Sequence, residues 1–218
     1  GNIFYESGLV TITHPNYYNE VNLDYIGWKS EELAFTKEKP LLNVGGGAVG
    51  SINPTGLFFK PDGNRVYVTG EFAFSTKNFG QIAEFHLSSS WDIGSLRVTS
   101  SAENLLLNTS QSLANGAPIN ETDPQGVFFK PDGTRMYFVG NRQNKIYQYD
   151  LSEHWAITSS VFNASSSISS EPRDLFWKPD GSRLYISDNA LDQIKQYDVP
   201  TPWDITSIAG FNGGSLTE

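Results

Sequence analysis

Gly56-Leu-Phe-Phe-Lys-Pro-Asp-Gly-Asn-Arg-Val-Tyr67 returns as Gly126-Val-Phe-Phe-Lys-Pro-Asp-Gly-Thr-Arg-Met-Tyr137, and again as Asp174-Leu-Phe-Trp-Lys-Pro-Asp-Gly-Ser-Arg-Leu-Tyr185. Each copy is an apolar run, a turn and a second run carrying Arg and then Tyr, which spells a β-hairpin. The turn triplets are Pro61-Asp62-Gly63, Pro131-Asp132-Gly133 and Pro179-Asp180-Gly181. Proline sets φ at the first corner, Asp bonds its own backbone, and Gly takes the positive-φ position that sends the chain back.

A second phrase follows each hairpin: Gln81-Ile-Ala-Glu-Phe-His-Leu with Trp91, Lys145-Ile-Tyr-Gln-Tyr-Asp-Leu with Trp155, and Gln193-Ile-Lys-Gln-Tyr-Asp-Val with Trp203. Turn proline and tryptophan are 24 residues apart in copies two and three and 30 apart in copy one. Copy one therefore carries extra residues near 72–77, and a further polar stretch at 99–120 lengthens its period. Both read as loops inserted into a common scaffold, which chain entropy tolerates.

Each repeat reads as four strands. The first, such as Leu57-Phe58-Phe59, is apolar without alternation, so both of its faces are covered. Four antiparallel strands, a period of 48 between Pro131 and Pro179 and two buried faces together describe a β-propeller blade. The fold class is all-β: three four-stranded repeats, about 53–123, 124–171 and 172–218, after an N-terminal β segment and glycine-rich joint at 1–50. Within that segment, residues 2–6 and 9–13 read as strands about Ser7-Gly8, with shorter candidates at 21–28, 33–36 and 41–44. Closed propellers have 4–8 blades, so further blades, strands from 21–50 or another subunit must cover the exposed ends. The chain starts at Gly1 without Met, and Ser215–Glu218 falls near where a fourth phrase is due. It is read as a piece of a longer polypeptide.

The Phe-x-x-Asp-Gly-x-x-x-Tyr hairpin resembles the repeat of YVTN and TolB-type propellers. The whole unit is similar to propeller repeats of marine bacterial and bacteriophage proteins. Gly1-Asn-Ile-Phe-Tyr-Glu-Ser-Gly-Leu-Val-Thr-Ile-Thr13 resembles a segment of tailed-phage virion structural proteins. That resemblance implies a non-enzymatic tail, baseplate or fibre component, its propeller a rigid platform for protein or receptor binding. Its partners would be other virion proteins, copies of itself, or a host-surface glycan or receptor. The alternative is a secreted or surface carbohydrate-binding, lectin-like propeller.

A net charge of −9 without a basic block argues against nucleic acid and anionic membranes as partners. No apolar run is long enough to insert in a membrane as a helix. With no cysteine, disulfides play no part in stability and the compartment stays open. Gly45, Gly47 and Gly50 fit G-x-G-x-x-G, but a β-hairpin follows where a dinucleotide site needs a helix.

Lys60, Lys130, Lys178, Arg65, Arg135 and Arg183 either ring one rim as an anion site or pair locally, each Arg with the Asp of its own turn. Trp91, Trp155 and Trp203 are repeat packing positions before they are sugar-stacking ones. His14, His86 and His154 share no metal spacing, and Asp188 with Asp192 reads as a turn ahead of a weak Ca²⁺ site. No nucleophile elbow or triad is legible, while a carboxylate pair brought together by the fold stays open. No cofactor is expected. The triplets at Asn108, Asn120 and Asn163 match the glycosylation pattern within Ser-rich stretches.

Overall fold

The computed structural model describes residues 3–4, 9–10, 52–74, 77–97, 104–106, 121–167 and 170–209. The chain forms two compact units, Gly1–Lys37 and Glu38–Glu218. In the first, strands β1 (Ile3–Phe4) and β2 (Leu9–Val10) pair antiparallel. The readings made for 21–28, 33–36, 41–44 and Gly45–Gly50 lie outside the described residues, as does His14.

The second unit is a row of antiparallel sheets. Blade 1 has β3 (Ile52–Phe59), β4 (Arg65–Phe74), β5 (Lys77–Leu87) and two short pieces, β6 (Leu96–Arg97) and β7 (Asn104–Leu106), that share the outer edge of β5. Blade 2 has β8 (Pro124–Phe129), β9 (Arg135–Gly140), β10 (Lys145–Leu151) and β11 (Ser160–Ser167) in consecutive order. Blade 3 has β12 (Pro172–Trp177), β13 (Arg183–Asp188) and β14 (Gln193–Asp198) among the described residues. The first strands touch across blades, β3 on β8 and β8 on β12. They are therefore the innermost strands of an all-β propeller-type fold.

The extra residues of blade 1 near 72–77 do not form a loop beside the sheet. β4 and β5 continue their pairing through Phe72↔Phe79 and Phe74↔Lys77, so the insertion is a longer hairpin. Lengthening two paired strands keeps their backbone groups bonded, which a loop would leave to water. The polar stretch 99–122 contributes β7 to the sheet, and Glu121 packs beneath blade 2.

All three turns share one geometry. The amide of Gly63, Gly133 or Gly181 donates to the carbonyl of the preceding Lys at 2.8 Å, and these glycines stand at φ +73, +75 and +74. Their conformation is the left-handed one that excludes a side chain cheaply only for glycine. An added Cβ would also lie 2.3 Å from the indole of the same blade's tryptophan. Turn and tryptophan are thus one local structure.

Three core clusters fill the unit. Val66, Val68, Ala83 and Phe85 form a buried cluster on β4 and β5, on the face of blade 1 opposite Tyr67 and Ile82. Tyr67, Ile82, Phe129, Met136, Phe138 and Trp155 fill the seam between blades 1 and 2. Tyr137, Val139, Ile146, Trp177, Leu184 and Trp203 fill the seam between blades 2 and 3. Every seam is built of both partners' apolar faces, and that burial is the main favourable term for stacking the blades.

Candidate functional site

The six repeat cations are all engaged by carboxylates of their own blade. Lys60, Lys130 and Lys178 reach Asp62, Asp132 and Asp180 at 2.7, 2.7 and 2.6 Å. The pairing of each Arg with its turn Asp is therefore corrected. Lys stands two residues before the Asp and turns back to it, whereas the Arg sits on the second strand opposite the third. Its partners are Glu84 for Arg65 at 2.7 Å, Asp150 for Arg135 at 2.8 Å and Asp198 for Arg183 at 3.2 Å. Asp132 is lowered to about 2: slight burial opposes the shift, and Lys130 with Thr134 overcomes it. The rim is a set of local pairs.

The tryptophans hold an unexpected backbone conformation. Trp91, Trp155 and Trp203 stand at φ 63, 67 and 67, a region that costs a bulky residue free energy. Each is held there by its own amide, which donates to the carbonyl of the turn glycine at 2.8, 2.9 and 3.0 Å. The left-handed turn points the tryptophan carbonyl toward the preceding blade. Arg65 Nη1 donates to the Trp155 carbonyl at 3.0 Å, and Tyr67 Oη donates to the same oxygen. Arg135 Nη1 donates to the Trp203 carbonyl at 2.9 Å, joined by Tyr137 Oη.

A third contact completes the clasp two residues further on. The Ile157 amide donates to Glu84 at 3.1 Å and the Ile205 amide donates to Gln148 at 3.0 Å. Burial pushes the hydroxyls of Tyr67 and Tyr137 well above the ordinary tyrosine range, so both remain donors. The Arg-x-Tyr phrase and the tryptophan are two halves of one joint between successive blades. Their shared periodicity was the signal for it; sequence reasoning placed each in its own hairpin.

At the opposite end of the innermost strands lies a polar set. Asp123, ahead of β8, accepts from Gln125 at 2.5 Å and from Asn141 at 2.8 Å. At the equivalent place in blade 3, Glu171 accepts from Asn189 at 2.9 Å and from Arg173. Thr55 of blade 1 donates to the Pro124 carbonyl, and Asp174 abuts Gly126, where a Cβ would lie 2.1 Å from its carboxylate. The starts of the inner strands in blades 2 and 3 thus carry equivalent carboxylates with amide partners, and blade 3 adds one guanidinium. Sequence spacing hides this set, because its members come from different repeats.

Glu121 is fully buried beside that set. Its carboxylate accepts the amides of Asp123 at 2.9 Å, Arg142 at 3.2 Å and Gln143 at 3.1 Å, and the Tyr147 hydroxyl at 3.3 Å. Burial raises its pKa against those bonds. The carboxylate ties the β9–β10 turn to the entry of β8. Its close approach to Gly140 leaves no room for a side chain there.

Asp188 is turned to the amides of Ala190 at 3.1 Å and Ser170 at 3.4 Å and to Lys195 at 3.6 Å. Asp192 holds the left-handed corner at φ 50, so the two acids serve the β13–β14 turn. His86 lies 3.1 Å from Glu84, and His154 is exposed. Trp155 and Trp203 are each 8% exposed and Trp91 58%. The three indoles therefore form no exposed row for sugar stacking.

No family model matches the chain, and no curated protein matches it. Among solved structures it is similar to a candidate 6-phosphogluconolactonase from Bacteroides fragilis, with 16% identity and a TM-score of 0.51 over 75% of this chain and 39% of that one. It is also similar to the periplasmic gluconolactonase of Pseudomonas aeruginosa, at 18% identity and TM-score 0.43 over 68% of this chain and 39% of that one. A candidate 6-phosphogluconolactonase from Bacteroides uniformis has 11% identity and TM-score 0.42, over 74% and 55%. The chain spans about two fifths of the first of these, and the likeness at this identity is one of fold.

The first of these neighbours overturns the expectation of a non-enzymatic virion component and of its lectin-like alternative. The Bacteroides fragilis structure that shares the fold is described as a candidate lactonase, and nothing in it connects the fold to a phage particle. The inference against an enzyme is corrected with it. It rested on the lack of a local catalytic motif, and a propeller assembles polar groups from separate blades.

Proposed function

We propose that the chain supplies consecutive blades of a propeller enzyme that hydrolyses a sugar-derived lactone. The observation that carries this reading is the similarity in fold to the Bacteroides fragilis protein over 75% of the chain. The polar set at the inner strand starts is consistent with it. Lactone hydrolysis adds water to the acyl carbon, breaks the ring C–O bond and delivers a proton to the departing alkoxide. It needs a carboxylate to take the proton from water and a cation to hold an anionic substrate. Asp123 and Glu171 are the bases of this proposal, and Arg173 is the cation.

The test follows acid release from glucono-δ-lactone and its 6-phosphate in a pH-stat. A rate above spontaneous hydrolysis is expected, reduced by about 100-fold in Asp123→Asn or Glu171→Gln. A rate equal to the spontaneous one, or one that neither substitution alters, overturns the reading.

A further inference from the structure

Both joints between blades are made by the same row of side chains. Residues opposite one another in an antiparallel pair share a face of the sheet. Phe58, Tyr67 and Glu84 thus lie side by side across β3, β4 and β5. This row meets the tryptophan turn of blade 2: Phe58 stacks on Trp155 at 6.3 Å, Tyr67 donates to the Trp155 carbonyl, and Glu84 accepts from the Ile157 amide. Phe128, Tyr137 and Gln148 form the equivalent row across β8, β9 and β10. They meet Trp203 and Ile205 of blade 3 in the same three ways.

Blade 3 repeats the row a third time, as Phe176, Tyr185 and Gln196 across β12, β13 and β14. Phe176 continues the inner column of rings, in which Phe58 meets Phe128 edge-on at 5.4 Å and Phe128 meets Phe176 at 5.6 Å. Arg183 is held by Asp198 through Nε as Arg135 is by Asp150, the orientation from which Arg135 Nη1 reaches the Trp203 carbonyl. Burial is what differs. Tyr137 and Gln148 are fully buried, whereas Tyr185 is half-buried, Gln196 is exposed and Phe176 is 55% exposed. With Asp174, Leu175, Ser187 and the exposed Ile194, Phe176 and Tyr185 line a shallow depression on this face.

An exposed apolar patch beside oriented polar groups marks an interaction surface, and the two existing joints dictate what fits it. Phe176 calls for an indole face, Arg183 and Tyr185 for an outward carbonyl, and Gln196 for an amide two residues further on. These come together where a tryptophan stands at positive φ behind a turn glycine, as Trp155 and Trp203 do. Blade 1 of a second copy does not fit, because Val66, Val68, Ala83 and Phe85 already bury its sheet face. We infer that the blade 3 face binds a further blade of this repeat, one outside residues 1–218, and holds its left-handed tryptophan as blades 1 and 2 hold Trp155 and Trp203. The contact continues a joint that the chain makes twice. It does not depend on the lactonase reading.

Photocrosslinking tests it. Phe176→p-benzoylphenylalanine puts a reactive ring where the incoming indole would lie, and irradiation in the cells that make the protein records what that ring touches. Peptide mass spectrometry is expected to find the adduct on a sequence outside residues 1–218. Its tryptophan should stand 24 or 30 residues after the proline of a Lys-Pro-Asp-Gly turn, as in the copies here. Arg183→Ala together with Tyr185→Phe should lower the adduct yield by about 10-fold or more, since two hydrogen bonds are lost. These side chains are exposed or half-buried, so circular dichroism of the variants should match the parent. An adduct within residues 1–218, an adduct on a sequence without that phrase, or no adduct at all overturns the proposal. So does a yield indifferent to the paired substitution.

Discussion

β10 and β14 share a phrase, Ile-Tyr-Gln-Tyr-Asp against Ile-Lys-Gln-Tyr-Asp, and differ in what surrounds them. From Ile146 to Tyr149 every residue of β10 is buried, whereas β14 alternates between half-buried and exposed along its whole length. β10 lies between β9 and β11 with a blade on either side; β14 pairs with β13. Similarly, Tyr137 is fully buried and Tyr185 is not, although both follow the same turn. Burial in this protein is a property of stacking. The same residues earn different energies at different places in the row.

The largest expected separation is between two tryptophans. Trp155→Ala should cost about 4 kcal/mol, because it empties a seam and leaves Arg65 and Tyr67 facing a carbonyl freed from its left-handed turn. Trp91→Ala, at an indole 58% exposed, should cost about 1–2 kcal/mol. Urea unfolding of both variants measures the gap. Equal losses would mean that the seam contributes nothing beyond the local stack of tryptophan on turn glycine.

Glu121 sharpens the comparison from another side, since it braces blade 2 alone. Glu121→Ala leaves three amides without their acceptor and should cost about 3 kcal/mol. The raised pKa adds a sign. The folded state binds the proton more tightly than the unfolded chain, whose glutamate titrates near 4.3. The carboxylate's contribution therefore weakens as pH rises from there through the raised folded value, and stays flat above it. Unfolding curves across mildly acidic pH should show this slope in the parent and lose it in Glu121→Ala.

The smallest effect should be the same in both blades. The Asp132 carboxyl is held to about 2, and Asp180 is lowered as well, by the lysine and hydroxyl beside each. A lowered folded pKa gives stability that is present above the unfolded value near 3.9 and is lost as pH falls through about 2. Exposure keeps the Asp132 contribution below about 1 kcal/mol. Asp132→Asn and Asp180→Asn should each remove part of that acid-induced loss, to a similar degree. A large difference between them would show that the turn pairs, too, depend on neighbouring blades.

Much of the fold was legible in the chain itself. The Lys-Pro-Asp-Gly turns, the strands on either side and, in copies two and three, the 24-residue distance to the tryptophan are settled at short range. At that range, turn chemistry and alternation decide the outcome. The repeat then implied a blade, because a sheet with an apolar inner strand needs a cover on both faces. What the extra residues of blade 1 do was not legible, since an extended hairpin and a loop differ only in pairing.

The joint between blades was decided by tertiary structure. Arg65 and Trp155 lie 90 residues apart, Tyr137 and Trp203 66 apart, and no local preference places a bulky tryptophan at positive φ. That conformation persists because the turn glycine, the stacked ring and the next blade's donors all hold it at once. The contact of Asp174 with Gly126 at the inner strand starts arises for the same reason: neighbours in space there belong to different repeats. Sequence determined what each blade is, through short-range backbone chemistry. Stacking determined which of its faces are core, joint or surface, because burial exists only once a second blade has arrived.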